Sequence, residues 1–355
     1  MTSTAQLRTG TGIDAAELLA AMVAVPSVSG DEEALAALLV SRLFAAGFDV
    51  EVDAAGNVVA AWGEGPRTIA LVGHLDTVAG NVEVRREGDL IHGRGTVDAK
   101  GPLAAAITAV SRQRRDAGRR FVVVGAVEEE STSRGARHLA EAMSAPESLV
   151  ILEPSGWDAV TIGYRGSLRL RWDIEQEHAH GAGPLPSAPD RGVALVRALQ
   201  DHAGSISSSC GPFERTDVRV LGFGSGTDGL ADTATVDIGV RTPPGCDIDA
   251  LLEVARTASS DGRLTVVGRE TGIRTERTSP LARSFNRAIR ARGGSPRCKV
   301  KTGTSDLNIL APAWRCPALA YGPGDSSLDH TPRERISITE LERAVGVLAG
   351  VLEQQ

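Results

Sequence analysis

Acidic and imidazole side chains stand where short apolar runs of this 355-residue sequence end. His74 and Asp76 follow one run, three consecutive glutamates follow a second, and Glu153 follows a third, while Asp98 precedes a helical pattern. Adjacent glutamates in a partly desolvated cleft raise one another's pKa unless a positive charge neutralises them. The next arginine comes only at Arg134. The pattern therefore favours a divalent metal bound by carboxylates and imidazole, a donor set that suits zinc.

The acidic cluster is large enough for two metal ions. Ions about 3.5–4 Å apart need a bridging carboxylate and roughly two further ligands each. Five segments provide that count: His74, Asp98, Glu130, Glu153 and His330. His330 is the natural late histidine, because the Gly/Pro-rich loop 322–325 brings it out of a predicted strand. We expect Asp76 to fix the tautomer of His74, and Glu129 to take a proton from water and pass it to a leaving nitrogen.

Alternating strand and helix patterns position these residues. Apolar runs predict strands at 57–61, 68–72, 121–127 and 149–152, with a helix at 102–117. Such a pattern is typical of a mainly parallel sheet flanked by helices, whose ligand crevice lies beyond the carboxyl ends of the strands. We therefore expect the acids and imidazoles to converge. A capping box, Ser29 with Glu32, predicts the start of a helix that ends at Gly47.

From about residue 162 the pattern changes to a smaller α+β unit. Strands are predicted at 167–174, 217–221, 235–240 and 264–267, around helices at 192–202 and 247–259. After residue 272 the α/β pattern returns, and Thr339 can cap a final helix. The simplest division has a first domain made of residues 1–161 and 273–355, with 162–272 inserted as a lid.

Composition excludes several classes of protein. The 38 basic and 45 acidic side chains give a net charge of −7, which offers no general attraction for nucleic acid or an anionic membrane. No apolar run of about 18 residues occurs and the N-terminus lacks the pattern of a secretory leader, so we expect a cytoplasmic protein. The four cysteines are far apart and are expected to be reduced.

One stretch of the sequence is strongly basic, although the net charge of the whole chain is negative. Residues 273–301 contain seven arginines, two lysines and one acid, a local charge of +8. Arg283, Arg287 and Arg290 share one face of a predicted helix. This basic stretch could dock an acidic protein partner and steer its tethered substrate. The alternative is a solvated helix that acids elsewhere balance.

Five motifs resemble, in order, a known enzyme family. They are GHLDT at 73–77, GRGTVDAKG at 93–101, the glutamates with SRGA at 133–136, EPS at 153–155 and LDHTP at 328–332. Together they are similar to the two-zinc aminoacylase and carboxypeptidase family that includes acetylornithine deacetylase and succinyl-diaminopimelate desuccinylase. The resemblance implies a zinc-peptidase catalytic domain with an inserted ferredoxin-like dimerisation domain. It also implies a homodimer and two Zn²⁺, replaceable by Co²⁺, that Asp98 bridges, often next to a cis peptide bond.

Within that family the amino-acid sequence at 128–137, 153–157, 301–306 and 321–325 is most similar to that of hydrolases that release lysine or ornithine from an amino-group carrier protein. Those enzymes cut the amide between the amino acid's α-amine and the side chain of the carrier's C-terminal glutamate. By this resemblance Arg241, Gly303 and Thr304 bind substrate, Arg241 through a carboxylate. His180 would stabilise the tetrahedral oxyanion in the partner subunit's site, with His178 as the alternative.

Several alternatives stay open at this point. The family usually has two glutamates where this chain has three, so the roles could shift by one position, although counting back from Ser133 favours Glu129 as base and Glu130 as ligand. The enzyme could instead be an N-acyl amino acid deacetylase or a dipeptidase acting on free small substrates. A metal-free binding protein that has kept only the fold is the non-enzyme alternative. The identity of the released amino acid and the native metal are also open.

Overall fold

The computed structural model describes residues 12–115, 118–207, 209–259 and 261–354. These residues form two compact units. The first comprises the described parts of 1–162, 275–299 and 309–355, and the second those of 163–274 and 300–308. Within the described ranges, every helix is too short or too polar to cross a membrane.

Nine helices occur in the described ranges. They are α1 (Ala15–Val23), α2 (Glu33–Ala46), α3 (Lys100–Ser111), α4 (Arg134–Ala142), α5 (Ala188–Ser207), α6 (Ile248–Ala258), α7 (Pro280–Ala291), α8 (Leu307–Trp314) and α9 (Ile338–Leu352). The strands are β1 (Asp49–Val52), β2 (Val58–Trp62), β3 (Arg67–His74), β4 (Arg85–Glu87), β5 (Leu90–His92), β6 (Arg119–Ala126), β7 (Ser148–Ile151), β8 (Ala159–Tyr164), β9 (Gly166–Glu177), β10 (Asp217–Thr227), β11 (Ala231–Thr242), β12 (Arg263–Glu270), β13 (Ile273–Arg274), β14 (Arg297–Lys301), β15 (Ala318–Ala320) and β16 (Arg335–Ser337).

The first unit is built on a sheet with the strand order β1-β2-β6-β3-β7-β15-β8. Its central strands β6, β3, β7 and β15 are parallel, whereas β1, β2 and β8 pair antiparallel to their neighbours. Six consecutive residues of β3 and six of β6 are buried, as expected for strands covered on both faces. Helix α3 packs against β3, α1 and α9. The predicted mixed α/β fold with a mainly parallel sheet is confirmed.

The second unit is a four-stranded antiparallel sheet, β10-β11-β9-β12, with two helices on one face. Alternate side chains of the strands point toward α5 and α6, and the core includes Trp172, Ile238, Leu195 and Leu251. The remaining side chains of β9 and β11 point to the opposite face of the sheet.

Two predicted helix caps are wrong. Helix α2 begins at Glu33 with Glu32 as the N-cap, and the hydroxyl of Ser29 donates instead to the carboxylate of Asp76 at 2.7 Å. At α9 the cap is Ser337, whose hydroxyl accepts from the backbone of Glu340. Thr339 donates its hydroxyl to Asp89. The predicted helix at 102–117 spans Lys100–Ser111, and residues 116 and 117 lie outside the described ranges.

Candidate metal centre

His74 is the last residue of the buried strand β3, and its ring lies among carboxylates. The Nδ1–H donates to the backbone carbonyl of Asp76 at 2.9 Å. Nε2 faces the other way, 3.1 Å from Asp98 Oδ1 and 3.8 Å from Glu153 Oε1. Since a hydrogen bond at one ring nitrogen sets the tautomer, the Nε2 lone pair is directed at the acidic cluster.

Asp98 lies between two imidazoles. Its Oδ1 faces His74, and its Oδ2 is 3.1 Å from Nε2 of His330. The same His330 nitrogen lies 2.8 Å from Glu130 Oε1. The peptide bond between Asp98 and Ala99 is cis. The two oxygens of the Asp98 carboxylate therefore face different groups of ligand atoms. Two neighbouring cations require this arrangement.

The three glutamates do not face the same way. Glu128 has a φ of 59°, and its carboxylate accepts from Arg134 and Thr132. Potential ligand atoms of Glu129 and Glu130 lie within 4.8 Å of one another and of His74. The structure thus ties Glu128 to the helix that follows, and leaves the second and third glutamates in the acidic cluster.

The buried carboxylate of Asp76 holds the loop that carries these glutamates. Its Oδ1 accepts from the backbone N–H of Glu129 and its Oδ2 from that of Glu130, each at 3.0 Å. Oδ2 also accepts from Ser29, while Glu32 accepts from the backbone of Glu128 at 3.1 Å. Asp76 was expected to orient His74, and its Oδ1 does lie 3.4 Å from Nδ1, but its hydrogen bonds position the glutamate loop as well.

Glu334 is a supporting residue that the sequence reasoning missed. It is fully buried, and its Oε1 accepts from the backbone N–H groups of Val97 and Asp98 at 3.0 and 3.2 Å. Its other oxygen pairs with Arg94 at 2.7 Å. Arg94 also donates to the carbonyl of Thr331, next to His330. The Arg94–Glu334 pair therefore connects the segment that carries Asp98 to the segment that carries His330. In the sequence, the signal for this supporting role was the position of Glu334, four residues after His330.

The electrostatics of the cluster favour a cation. Burial alone lowers the pKa of His74, but hydrogen bonds to Asp76 and Asp98 outweigh burial and raise that pKa well above its ordinary value. Hydrogen bonds to Asp98 and Glu130 raise the pKa of His330 to about 10. The carboxylates thus attract positive charge at both ends of the cluster, as they would attract a divalent ion.

The donor set fits such ions. In each of two groups, the potential ligand atoms lie within 4.8 Å of one another, and Asp98 belongs to both groups. One group adds His74 and Glu153, and the other adds Glu130 and His330. Imidazole nitrogen with carboxylate oxygen is a common donor set for first-row divalent metals.

The remaining predicted site residues lie in the second unit. Arg241, at the end of β11, donates to the hydroxyl of Thr304 at 3.1 Å, and Gly303 lines the same cavity as Arg241. His178 and His180 lie in the exposed segment after β9. His178 pairs with Asp232 at 2.9 Å, whereas Nδ1 of His180 accepts from the nearby backbone of Ala182 at 3.2 Å.

Comparison with known proteins decides the family. Residues 70–354 match the sequence profile described as peptidase family M20/M25/M40. The chain belongs to this family. The resemblance read from the five motifs is thereby confirmed, and this M20 protein is a metal-dependent amide hydrolase.

Named relatives cover nearly the whole M20 chain. A protein of Deinococcus radiodurans named LysW-lysine hydrolase is 43% identical over 349 residues, covering 95% of this chain and 96% of that protein. A Saccharolobus islandicus protein named LysW-lysine/LysW-ornithine hydrolase is 29% identical over 280 residues, covering 79% of this chain and 78% of that protein. The crystal structure of an M20 family metallo-carboxypeptidase from Sulfolobus solfataricus aligns with a TM-score of 0.78 at 17% identity, over 96% of this chain and 99% of that one.

Proposed function

We propose that this M20 hydrolase releases an amino acid of the lysine or ornithine type from the side chain of the C-terminal glutamate of an amino-group carrier protein. The observation that carries this proposal is the 43% identity, over 95% of the chain, to a protein named LysW-lysine hydrolase. The clustered imidazoles and carboxylates of the first unit agree with the amide hydrolysis that this reaction requires.

Two Zn²⁺ ions are the proposed cofactors, and Co²⁺ could replace them. His74 and Glu153 would hold one ion, Glu130 and His330 the other, and Asp98 both. When bound, the ions supply Lewis acidity for the scissile carbonyl and for the attacking water.

Glu129 is the proposed general base and acid. Its backbone N–H is fixed by the buried Asp76, and its carboxylate belongs to the group of ligand atoms around His74. It takes the proton of the attacking water and returns it to the leaving α-amine, because a single carboxylate can serve as base and then as acid. The bond that breaks joins the glutamate carbonyl carbon to the amine nitrogen.

The second unit supplies the proposed substrate contacts. Arg241, with Gly303 and Thr304 beside it, would bind a substrate carboxylate. We infer that His180 stabilises the oxyanion of the partner subunit's reaction, since it pairs with no acid among the described residues, whereas His178 pairs with Asp232. We propose a cytoplasmic homodimer formed through this unit. The edge strand β10, on which Leu221 is 62% and Phe223 44% exposed, supports the dimer interface.

The carrier is proposed to dock on helix α7. Arg283, Arg287 and Arg290 are exposed on one face of that helix. Among the described residues, none of the three forms an ion pair, and Arg287 donates to Gln354 and Ser284 instead. These guanidinium groups are therefore available to pair with the carboxylates of an acidic carrier protein.

A substrate comparison tests the function. The purified holoenzyme is assayed side by side on carrier-linked lysine, carrier-linked ornithine, acetyl-lysine and acetylornithine. We expect kcat/KM on a carrier-linked substrate to exceed that on the acetylated amino acids by at least about tenfold, since only the carrier can use the basic helix. Faster turnover of the acetylated amino acids would favour the free-substrate deacetylase instead.

A charge reversal tests docking separately. Arg283→Glu with Arg287→Glu should raise KM for carrier-linked substrate at low salt, because long-range attraction becomes repulsion, and the difference should shrink as salt is added. The matched control is Arg42→Glu, on the exposed side of α2. Equal kcat/KM for the double variant and wild type at low salt would reject docking on α7.

A further inference from the structure

Four arginines gather on the face of the second unit's sheet that lies opposite α5 and α6. They are Arg165, Arg169, Arg219 and Arg241, and all four line a cavity of about 360 Å³. The cavity is also lined by Leu221 and Gly239. A concave surface with several guanidinium groups and an apolar wall suits a ligand that carries both carboxylates and methylene groups.

The strand register places two of these arginines as a pair. Arg169 on β9 and Arg219 on β10 both lie opposite Gly239 of the intervening strand β11. Their backbones are thus two strand spacings apart, about 10 Å. The side chain of Leu221 lies over Gly239, with its Cδ1 3.1 Å from the position that a Cβ would take. Leu221 therefore forms an apolar floor between the two arginines, and a ligand that both guanidinium groups reach would lie above it. Arg241 lies two residues further along β11, about 7 Å away, and forms a separate position.

Charge accounting shows that the pair has no acid of its own. Asp217, the acidic residue that lines the cavity, already accepts from Arg165 at 2.8 Å and from Arg215 at 2.7 Å. In the part of the chain that the structure describes, neither Arg169 nor Arg219 has an ion pair. Burial, followed by the charges of Arg169 and Arg165, lowers the pKa of Arg241, and the opposing charge of Glu270 does not outweigh them. The cavity therefore carries positive charge that the unit leaves unneutralised.

A neighbouring arginine shows the contrast. Arg171 follows Arg169 on the same face of β9, and it is paired with Asp173 at 3.3 Å and with Asp237 at 3.6 Å. Unneutralised charge is thus confined to the cavity and is not a general property of this sheet face.

The proposed substrate has two carboxylates, one on each side of the scissile amide. One belongs to the released amino acid, and the other is the free α-carboxylate of the carrier's C-terminal glutamate. We propose that Arg169 and Arg219 bind this glutamate α-carboxylate, as a subsite distinct from Arg241. Both arginines are exposed whereas Arg241 is half-buried, and a glutamate still joined to a protein can reach the rim more easily than the interior. Paired guanidinium groups match the planar, two-pronged carboxylate.

This inference rests on the proposed function, and a pair of small substrates tests it. One is N-acetyl-γ-glutamyl-lysine, joined through the lysine α-amine, with its glutamyl α-carboxylate free. The other carries a carboxamide at that position. Wild-type holoenzyme should prefer the free acid by about ten- to hundredfold in kcat/KM, the factor that charged hydrogen bonds contribute. The double variant Arg169→Gln with Arg219→Gln should lose most of this preference, and the control Arg171→Gln should keep it.

Two results would overturn the subsite: equal kcat/KM of wild type on the two substrates, or a preference that the double variant retains. If wild type cleaves neither substrate, the proposed function is what fails, and binding then decides the subsite. N-acetylglutamate and N-acetylisoglutamine differ only in that α-carboxylate. Tighter binding of N-acetylglutamate by wild type, lost in the double variant, would support the subsite, and equal dissociation constants would refute it.

Discussion

The candidate metal centre of the first unit and the arginine cavity of the second are opposite in charge and in construction. Around Asp98, acids and imidazoles come from separate loops that follow buried strands. Around Gly239, arginines stand on the strands themselves, on one face of an antiparallel sheet. In both places side chains of like charge lie close together, and the other described side chains of the unit do not fully neutralise them. Such a cluster indicates a ligand of the opposite charge.

The difference in construction suggests a division of labour. The buried Asp76 accepts from the backbone of Glu129 and so positions the loop that carries it, and such positioning suits the proposed proton transfer. Exposed arginines on a sheet face can adapt to a flexible substrate, which suits binding. We therefore expect changes in the first region to act mainly on kcat or metal affinity, and changes in the second mainly on KM.

The largest effect is expected for Glu129→Gln. Loss of the general base should lower kcat by about 10²- to 10⁴-fold, while the metal content of the purified protein stays that of wild type. Turnover and metal analysis on the same preparation check this. Full activity would remove Glu129 from the mechanism, and loss of metal together with activity would make it a ligand instead.

The second effect concerns Glu334, which touches none of the reacting groups. Glu334→Gln removes the charge that pairs with Arg94 and weakens the acceptor for the backbone of Asp98. We expect metal affinity to fall about 10- to 100-fold, as for other residues that orient metal ligands. Competition with a chelator measures it, with Glu342→Gln as control, a half-buried glutamate that also pairs with an arginine, Arg112. Unchanged affinity would show that Arg94 and Glu334 only stabilise the fold.

The third effect tests the second region. Arg241→Lys keeps the charge but loses the planar fork, and should raise KM about tenfold with a much smaller change in kcat. Steady-state kinetics beside Arg171→Lys provide the comparison. A fall in kcat at unchanged KM would contradict the division between the two regions.

The smallest effect is expected for Ser29→Ala, which removes one hydrogen bond to Asp76 and leaves those from the backbone of Glu129 and Glu130. Metal-free protein should lose about 1.5 kcal/mol in the free energy of unfolding, the usual contribution of a hydrogen bond to a charged group. Urea unfolding measures it, with Ser41→Ala on the exposed side of α2 as control. Equal losses in the two variants would leave Ser29 without a special role at Asp76.

The two regions also differ in how far the sequence could predict them. His74 and Glu153 each follow a buried apolar run, so the rule that ligands lie beyond strand ends was enough to group them. The pairing of Arg169 with Arg219 depends on strand register and on the glycine between them, which residue spacing alone does not specify. Ser29 was misread as a helix cap because its tertiary partner, Asp76, is 47 residues away.

Anomalous X-ray scattering from crystals grown with zinc tests the central claim most directly. We predict two peaks on either side of the Asp98 carboxylate, about 3.5–4 Å apart, one next to His74 and Glu153 and the other next to Glu130 and His330. A single peak, or peaks that Asp98 does not contact, would contradict the account.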